Sequence, residues 1–95
     1  MRCHVTLQPF DEAVRLLRSG RSVRCSDLVS MLERLGFVAR RGRRGNHRIV
    51  THPRLPGFFG TSFDCGHGRD AQVRPDYVRK LRRVFETYEE DLRRP

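Results

Sequence analysis

The residues best suited to chemistry lie between Arg40 and His52, where a run of arginines leads into a turn and then a short strand. His47 stands where the turn becomes the strand, and an imidazole can gain or lose a proton near neutral pH. Guanidinium groups bind phosphate through paired N–H donors. Five arginines occupy this stretch, and no carboxylate occurs between residues 34 and 63: Arg40, Arg41, Arg43, Arg44 and Arg48. We predict a site that binds phosphates beside a proton carrier.

RNA cleavage is the chemistry that fits this combination, because the 2′-hydroxyl of RNA can attack its own neighbouring phosphate. The reaction needs a base for the hydroxyl proton, an acid for the leaving oxygen, and positive charge near the crowded phosphate. His47 can fill the base or the acid role, and the arginines supply the charge. A positioned group of this kind typically contributes about 10²- to 10⁴-fold in rate.

The second proton-transfer group is left open by the sequence. His52 closes the strand before Pro53, and His67 lies in a glycine-rich loop, so a structural role is the simpler interpretation of both. Either histidine is still a candidate for the second acid or base. For His47 itself, the simpler alternative is a turn cap or a hydrogen bond to a nearby backbone carbonyl.

The net charge of the chain restricts its expected binding partners to polyanions. Twenty basic residues against eleven acidic ones give a formal charge of +9 and a pI near 11.1. Such a chain attracts nucleic acid, an anionic membrane surface or an acidic protein. Almost all the basic residues are arginines, which grip phosphate and stack on bases better than lysine does. A compositional bias of the source genome towards arginine would give the same count.

Two basic residues of the last helical stretch, Arg79 and Lys80, extend the predicted phosphate-binding surface. A charged run is more often only a solvated face. Against that interpretation, the carboxylate-free segment would create a strongly positive hairpin with no purpose inside the molecule. The predicted RNA contacts are therefore the five arginines named above together with these two residues.

No membrane association and no small-molecule cofactor is expected. The sequence has no apolar run close to the roughly 20 residues of a membrane span, and its first residues lack the apolar core of a signal peptide. The predicted location is the cytoplasm. The three cysteines, Cys3, Cys25 and Cys65, are odd in number and scattered, which predicts a reduced chain without a disulfide framework.

A zinc site is disfavoured by the spacing of its possible ligands. Cys65 and His67 are separated by one residue, and Cys3 and His4 are adjacent. Ordinary zinc knuckles place their paired ligands two to four residues apart. We therefore predict no metal site.

Apolar spacing predicts the helices. Residues 9–19 form an accessory helix, and residues 20–24 form a connector. A better-marked helix covers 26–35, with Ser26 as its N-cap and apolar residues three and four positions apart. A final helix begins at Pro75 and runs to about residue 92, fraying towards the end because acidic residues there oppose the helix dipole.

Strands are predicted at 37–41, 47–52 and 58–63, with a four-residue loop between the first two. Along the second strand, alternation places His47, Ile49 and Thr51 on one face and leaves Arg48, Val50 and His52 on the other. Each face carries one aliphatic residue and a polar end. The sequence alone therefore does not show which face is buried.

This order of elements predicts an α+β fold. Three strands in an antiparallel meander with the helices on one face form a two-layer domain. The chain is long enough for one core, and its 37% hydrophobic content is sufficient for folding. We divide it into an N-terminal extension with the accessory helix, residues 1–24, and a core domain, residues 25–95.

The core domain resembles the HicA (YcfA-like) toxins of bacterial type II toxin–antitoxin systems. The family pattern is a helix ending in Leu-Gly-Phe, a basic strand, a Gly-Ser-His turn, and a strand ending in His-Pro. The matching segments are Leu35-Gly36-Phe37, Arg40 to Arg44, Gly45-Asn46-His47 and His52-Pro53. Pro75 and Val78-Arg79 match the opening of the family's last helix. Asn46 replaces the usual serine, and Arg48 stands where a second histidine is common.

The resemblance implies a fold similar to double-stranded RNA-binding domains, with the order α-β-β-β-α. It also implies an mRNA-cleaving endoribonuclease that requires no metal and is silenced by an acidic HicB-type antitoxin. The family's essential histidine falls on His47. Two other functions remain open from the residues themselves: a non-catalytic RNA-binding module with the same fold, and a surface that serves mainly to bind an acidic protein.

Overall fold

The elements follow one another in a computed structural model that describes residues 9–18, 22–43, 46–66, 68 and 71–93. Their order is α1 (Pro9–Leu17), β1 (Val23–Arg24), α2 (Cys25–Arg34), β2 (Val38–Arg41), β3 (His47–Thr51), β4 (Thr61–Asp64), β5 (Gln72–Val73), α3 (Pro75–Thr87) and α4 (Glu89–Arg93). The protein is a small α+β domain, as predicted.

Helices α1 and α2 confirm the two helices read from apolar spacing. Ser26, however, is not the N-cap of α2. Strand β1 runs directly into the helix, so Arg24 occupies the capping position without a side-chain cap bond. The backbone N–H of Cys25 instead donates to the carbonyl of Ala71 at 2.9 Å. The first N–H group of the helix is therefore satisfied by a backbone carbonyl from another part of the chain.

The last helix is broken where the sequence predicts one continuous helix. Helix α3 ends at Thr87, Tyr88 forms a turn, and the short α4 follows. Tyr88 packs its ring against Phe58 with a centroid distance of 6.0 Å. Beyond the turn, Leu92 is buried and Arg93 bonds to Asp11 at 2.9 Å. Hydrogen bonds to Asp11 and then Glu89 raise the pKa of Arg93. These contacts hold α4 against α1.

The central sheet is antiparallel with the strand order β2-β3-β4. Its third strand begins later than the predicted residue 58. Gly60 has a φ of +113°, which lies outside the extended region, so Phe58 and Phe59 precede the strand. The predicted connector at 20–24 is also wrong in part, because β1 pairs with β5 in a second, two-stranded sheet.

The pairing register settles which face of β3 is buried. Val50 pairs with Ala39 and Thr61, and Arg48 pairs with Phe63. Directly paired residues lie on the same face, and Val50 and Phe63 are fully buried in one core with apolar residues of all four helices. We call this the inner face. His47, Ile49 and Thr51 therefore lie on the opposite, outer face.

Aromatic rings join α1 and α3 to the start of the sheet. Phe85 stacks on Phe10 and on Phe37, with centroid distances of 5.8 and 5.7 Å. Phe10, Ala13 and Leu17 of α1 are buried in the same core as the rest of the chain. The accessory helix is thus part of the packed domain.

A disulfide joins Cys25 to Cys65, with their Cα atoms 5.6 Å apart. The expectation of a chain without disulfides is therefore wrong for these two cysteines. They stand 40 residues apart in sequence. Cys65 forms a bridge with Val73, and Val73 pairs with Val23 near the start of α2, so these strand pairings bring the two cysteines together. Cys3 lies outside the described residues. None of the helices in the described ranges has both the length and the apolar character that a membrane crossing requires.

Candidate active site at the start of strand β3

His47 is the first residue of β3, and its side chain on the outer face is 36% exposed. The hairpin with β2 closes beside it, because Gly42 donates its backbone N–H to the carbonyl of His47 at 2.8 Å. The side chain is thus carried by a paired strand end and remains open to solvent. This location suits a group that must meet a large substrate.

Gly42 leaves space for the imidazole. A Cβ atom built on Gly42 would lie 2.7 Å from Cδ2 of His47. Carbon atoms do not approach so closely, so any larger residue there would displace the ring. A glycine is therefore required at this close approach, and the position of the His47 ring depends on the residue that follows β2.

Asp64 is the partner of His47. The two residues are directly paired across β3 and β4, and Nδ1 of the imidazole lies 2.7 Å from Oδ1 of the carboxylate. With an ionised Asp64, Nδ1 carries the hydrogen and donates it. Nε2 of His47 is then the ring nitrogen without a hydrogen, and it has no hydrogen-bond partner among the described residues. The pair can therefore present Nε2 as a proton acceptor.

Tyr77 engages the other oxygen of the carboxylate. Its hydroxyl donates to Oδ2 of Asp64 at 3.3 Å from the first turn of α3. Lys80, one turn further along, has Nζ 5.8 Å from the centre of the Tyr77 ring and donates to the carbonyl of Ser62 at 3.4 Å. Helix α3 therefore brings both a phenol and a cation to the edge of the sheet beside His47.

Two of the predicted phosphate contacts share the outer face with His47. Arg40 pairs with Ile49, which places it on this face. Arg43 lines an open depression together with Asn46, His47, Ile49 and Asp64. Both arginines are exposed, and neither forms an ion pair with a carboxylate of the described ranges. Their charge is available to a ligand.

Two others lie on the inner face. Arg41 pairs with Arg48, which in turn pairs with the buried Phe63. Nε of Arg48 is buried without a hydrogen-bond partner, and the residue lines a depression with Ser26 and Ser30 of α2. The structure therefore separates Arg41 and Arg48 from His47 by the thickness of the sheet.

Three further residues were predicted to contact RNA: Arg44, Arg79 and Lys80. Arg79 is exposed and donates to Asp76 at 2.8 Å, so its charge is partly neutralised. Lys80 is beside the site through Tyr77, and Arg44 lies outside the described residues. Within the described part of the chain, no group of three or more His, Cys, Asp or Glu residues is arranged to hold a metal ion.

His52 has the structural role that the sequence favoured. It is 9% exposed, and its Nε2 donates to the carbonyl of Leu35 at 2.9 Å. Its Nδ1 accepts the backbone N–H of Arg54 at 3.1 Å. Both ring nitrogens are engaged on the inner face, so His52 does not share a site with His47. The other candidate for a second acid or base, His67, lies outside the described residues.

Asp64 and Tyr77 were missed by the sequence interpretation. Asp64 is the first carboxylate after Glu33, which is a weak signal that the basic segment ends there. Its pairing with His47 depends on the register of β3 and β4, which the sequence does not show. Tyr77 falls beside the apolar stripe of α3, and nothing in its spacing distinguishes it from a surface residue.

Comparison with known proteins yields no relative: no protein-family model matches the chain, and no curated protein or solved structure is significantly similar to it. The resemblance to the HicA family therefore rests on the sequence motifs alone.

Proposed function

We propose that this protein is an endoribonuclease in which His47 acts as the acid–base group. The observation that carries the proposal is the orientation of the imidazole. Asp64 holds Nδ1 at 2.7 Å, and the ring lies on an open face beside exposed arginines. A histidine that only capped a turn would not need a carboxylate partner on the neighbouring strand.

In the proposed reaction, Nε2 of His47 removes the proton of a ribose 2′-hydroxyl. The 2′-oxygen forms a bond to the adjacent phosphorus, and the bond from phosphorus to the 5′-oxygen breaks. The products are a 2′,3′-cyclic phosphate and a 5′-hydroxyl, whose oxygen takes a proton from a second acid. Neither a metal nor a cofactor is required by this scheme, because the attacking group belongs to the substrate and the charge comes from side chains.

Arg40, Arg43 and Lys80 are the cations placed to stabilise the crowded phosphate. Arg40 and Arg43 are on the face of His47, and Lys80 is at its edge. Positive charge beside the reacting phosphate stabilises the negative charge that develops there. The inner-face arginines, Arg41 and Arg48, have at most an indirect part in this step.

The biological role that we propose is that of a toxin in a type II toxin–antitoxin system, acting on mRNA in the cytoplasm. The support is the ordered set of HicA-like motifs, together with a three-stranded antiparallel sheet that lies between α2 and α3 in the chain. An acidic HicB-type antitoxin would complement the outer face, since Arg40 and Arg43 have no carboxylate partner in the described ranges.

The test compares the wild-type protein with His47→Ala on a single RNA substrate in EDTA-treated buffer. We expect the variant to keep its RNA affinity and its thermal midpoint and to lose cleavage by about 10²-fold or more. Cleavage that persists unchanged in the variant would show that His47 is not the catalytic residue. RNA that is bound and never cut by the wild type would identify a non-catalytic binding module.

A further inference from the structure

Phe59 is an aromatic side chain without a place in the core. It is 97% exposed, in a chain where Val38 is the other large hydrophobic residue that is exposed among those described. Its neighbour Phe58 packs against Phe37 and Tyr88, with centroid distances of 5.9 and 6.0 Å. Phe58 thus makes the aromatic contacts of this segment with the core. Packing of the core does not explain why a phenylalanine also stands at position 59.

Phe59 belongs to a segment that lies at one end of the outer face. The residue lies just before β4, where β3 has ended at Thr51. A Cβ built on the adjoining Gly60 would lie 3.2 Å from the carbonyl oxygen of Val50 and 3.5 Å from Cγ2 of Thr51, so Gly60 lies beside the end of β3. Thr51 is an outer-face residue, so the segment carrying Phe59 reaches the end of that face farthest from His47.

Between these two ends, the outer face offers small polar, aliphatic and cationic side chains. Ile49 and Thr51 follow His47 along β3, and Arg40 and Val38 pair with them from β2. The strand rises about 3.3 Å per residue, so His47 and Phe59 are separated by a span of a few nucleotides. Cationic and aromatic side chains along one groove are the pattern by which proteins hold unpaired nucleic acid strands.

We propose that the outer face of the sheet binds single-stranded RNA, with the cleaved phosphate at His47 and an unpaired base stacked on Phe59. This inference rests on the proposed endoribonuclease function and adds to it a position that binds a base. Stacking requires a base whose face is accessible, which a continuous duplex does not offer. The partner that we propose is RNA because cationic side chains accompany the exposed ring of Phe59 on this face, and Val38 is the one other large hydrophobic residue exposed among those described.

The experiment measures RNA affinity in full-length protein carrying His47→Ala, so that the substrate is not consumed. Phe59→Ala, Phe59→Leu and Phe59→Trp are added to this background. Each protein is titrated with an unpaired oligoribonucleotide and with a perfectly paired duplex of the same sequence. Because the chain contains no tryptophan, Phe59→Trp also introduces a single fluorophore at the proposed stacking position.

We expect Phe59→Ala to weaken binding of the unpaired strand by roughly 5- to 150-fold, as loss of one stacked base does. The affinity of Phe59→Leu for the unpaired strand should fall almost as far, because leucine is apolar but has no ring on which a base can stack. Phe59→Trp should retain the affinity, and its fluorescence should be quenched by the unpaired strand. Binding of the duplex should be equal in all of these proteins.

The inference is overturned if Phe59→Ala binds the unpaired strand as tightly as the parent protein, or if the duplex is the preferred ligand. It is also overturned if Phe59→Leu binds the unpaired strand as tightly as the parent protein, which would show that no base stacks on the ring. These outcomes are independent of catalysis, since binding is measured without cleavage. A wild-type protein that binds RNA through Phe59 and never cuts it would refute the proposed function and leave only the stacking of a base on Phe59 standing.

Discussion

His47 and Asp64 face each other across β3 and β4, with Nδ1 of the imidazole 2.7 Å from Oδ1 of the carboxylate. Both side chains are partly exposed, at 36% and 49%. The pair therefore contributes little to stability. Its value lies in orientation, because a ring held through Nδ1 keeps Nε2 directed at a ligand on the outer face.

Asp64→Asn should therefore lower the rate of RNA cleavage more than it lowers RNA affinity or stability. An amide can hold either tautomer of the ring, so the fraction with Nε2 free to accept a proton falls. In buried triads this change costs about 10⁴-fold, and for a solvent-exposed pair we expect about 10- to 100-fold. Single-turnover cleavage and binding of the same RNA give the two quantities separately.

Asp76→Asn provides the control for Asp64→Asn, since Asp76 is an exposed carboxylate of α3 that bonds to Arg79 and not to His47. It should cleave at the wild-type rate. Equal losses in the two variants would mean that acidic residues act through net charge and not through the ring of His47.

Gly42→Ala should impair cleavage through the position of the imidazole. The new methyl group would lie within contact distance of Cδ2 of His47, and the ring must rotate away from Asp64. Gly42 does not have a positive φ, so alanine brings no backbone strain there, and the thermal midpoint should change little. The cleavage rate and the thermal midpoint of Gly42→Ala are both measured and compared with those of the wild-type protein.

The same substitution in a His47→Ala background should be silent in RNA binding. A large loss of affinity there, or unfolding of the single variant, would show that Gly42 acts on the hairpin and not on the ring.

Arg40 and Arg41 allow a matched comparison of the two faces. They are adjacent, exposed and equally charged, but Arg40 lies on the outer face and Arg41 on the inner face. Arg40→Gln should weaken binding of single-stranded RNA and reduce the slope of log K against log salt by about 0.7, the value for one phosphate contact on a single strand. Arg41→Gln should leave that slope unchanged. Equal effects would argue for a diffuse electrostatic attraction.

The disulfide between Cys25 and Cys65 should contribute to stability. Cross-linking residues 40 apart in sequence restricts the unfolded chain, and the entropic treatment gives about 4 kcal/mol for a loop of this size. Cys65→Ser should lower the thermal midpoint under oxidising conditions and should abolish its dependence on a thiol reductant. Cys3→Ser, with the pair intact, should retain that dependence. If the wild-type protein, unfolded without reductant, showed three free thiols, the pairing of Cys25 with Cys65 would be contradicted.

The sequence predicted the parts of this fold that depend on local spacing. Leu28, Met31 and Leu32 fall on one helical face and mark α2, and the segment from Phe37 to Thr51 shows the hairpin. The pairing of Val23 with Val73, the disulfide and the contact of His47 with Asp64 were not predictable in the same way. Each joins residues far apart in the chain, and each is fixed by how elements pack, which no local pattern records.

Side chains of β3 point alternately towards the core and towards solvent, so neighbouring residues of one short strand have different roles. Side chains at 48, 50 and 52 point into the protein, where Val50 is fully buried and His52 supports the backbone of Leu35. Side chains at 47, 49 and 51 point towards solvent. Substitutions along the strand should therefore alternate in kind from one residue to the next, with folding yield affected at even positions and ligand recognition at odd ones.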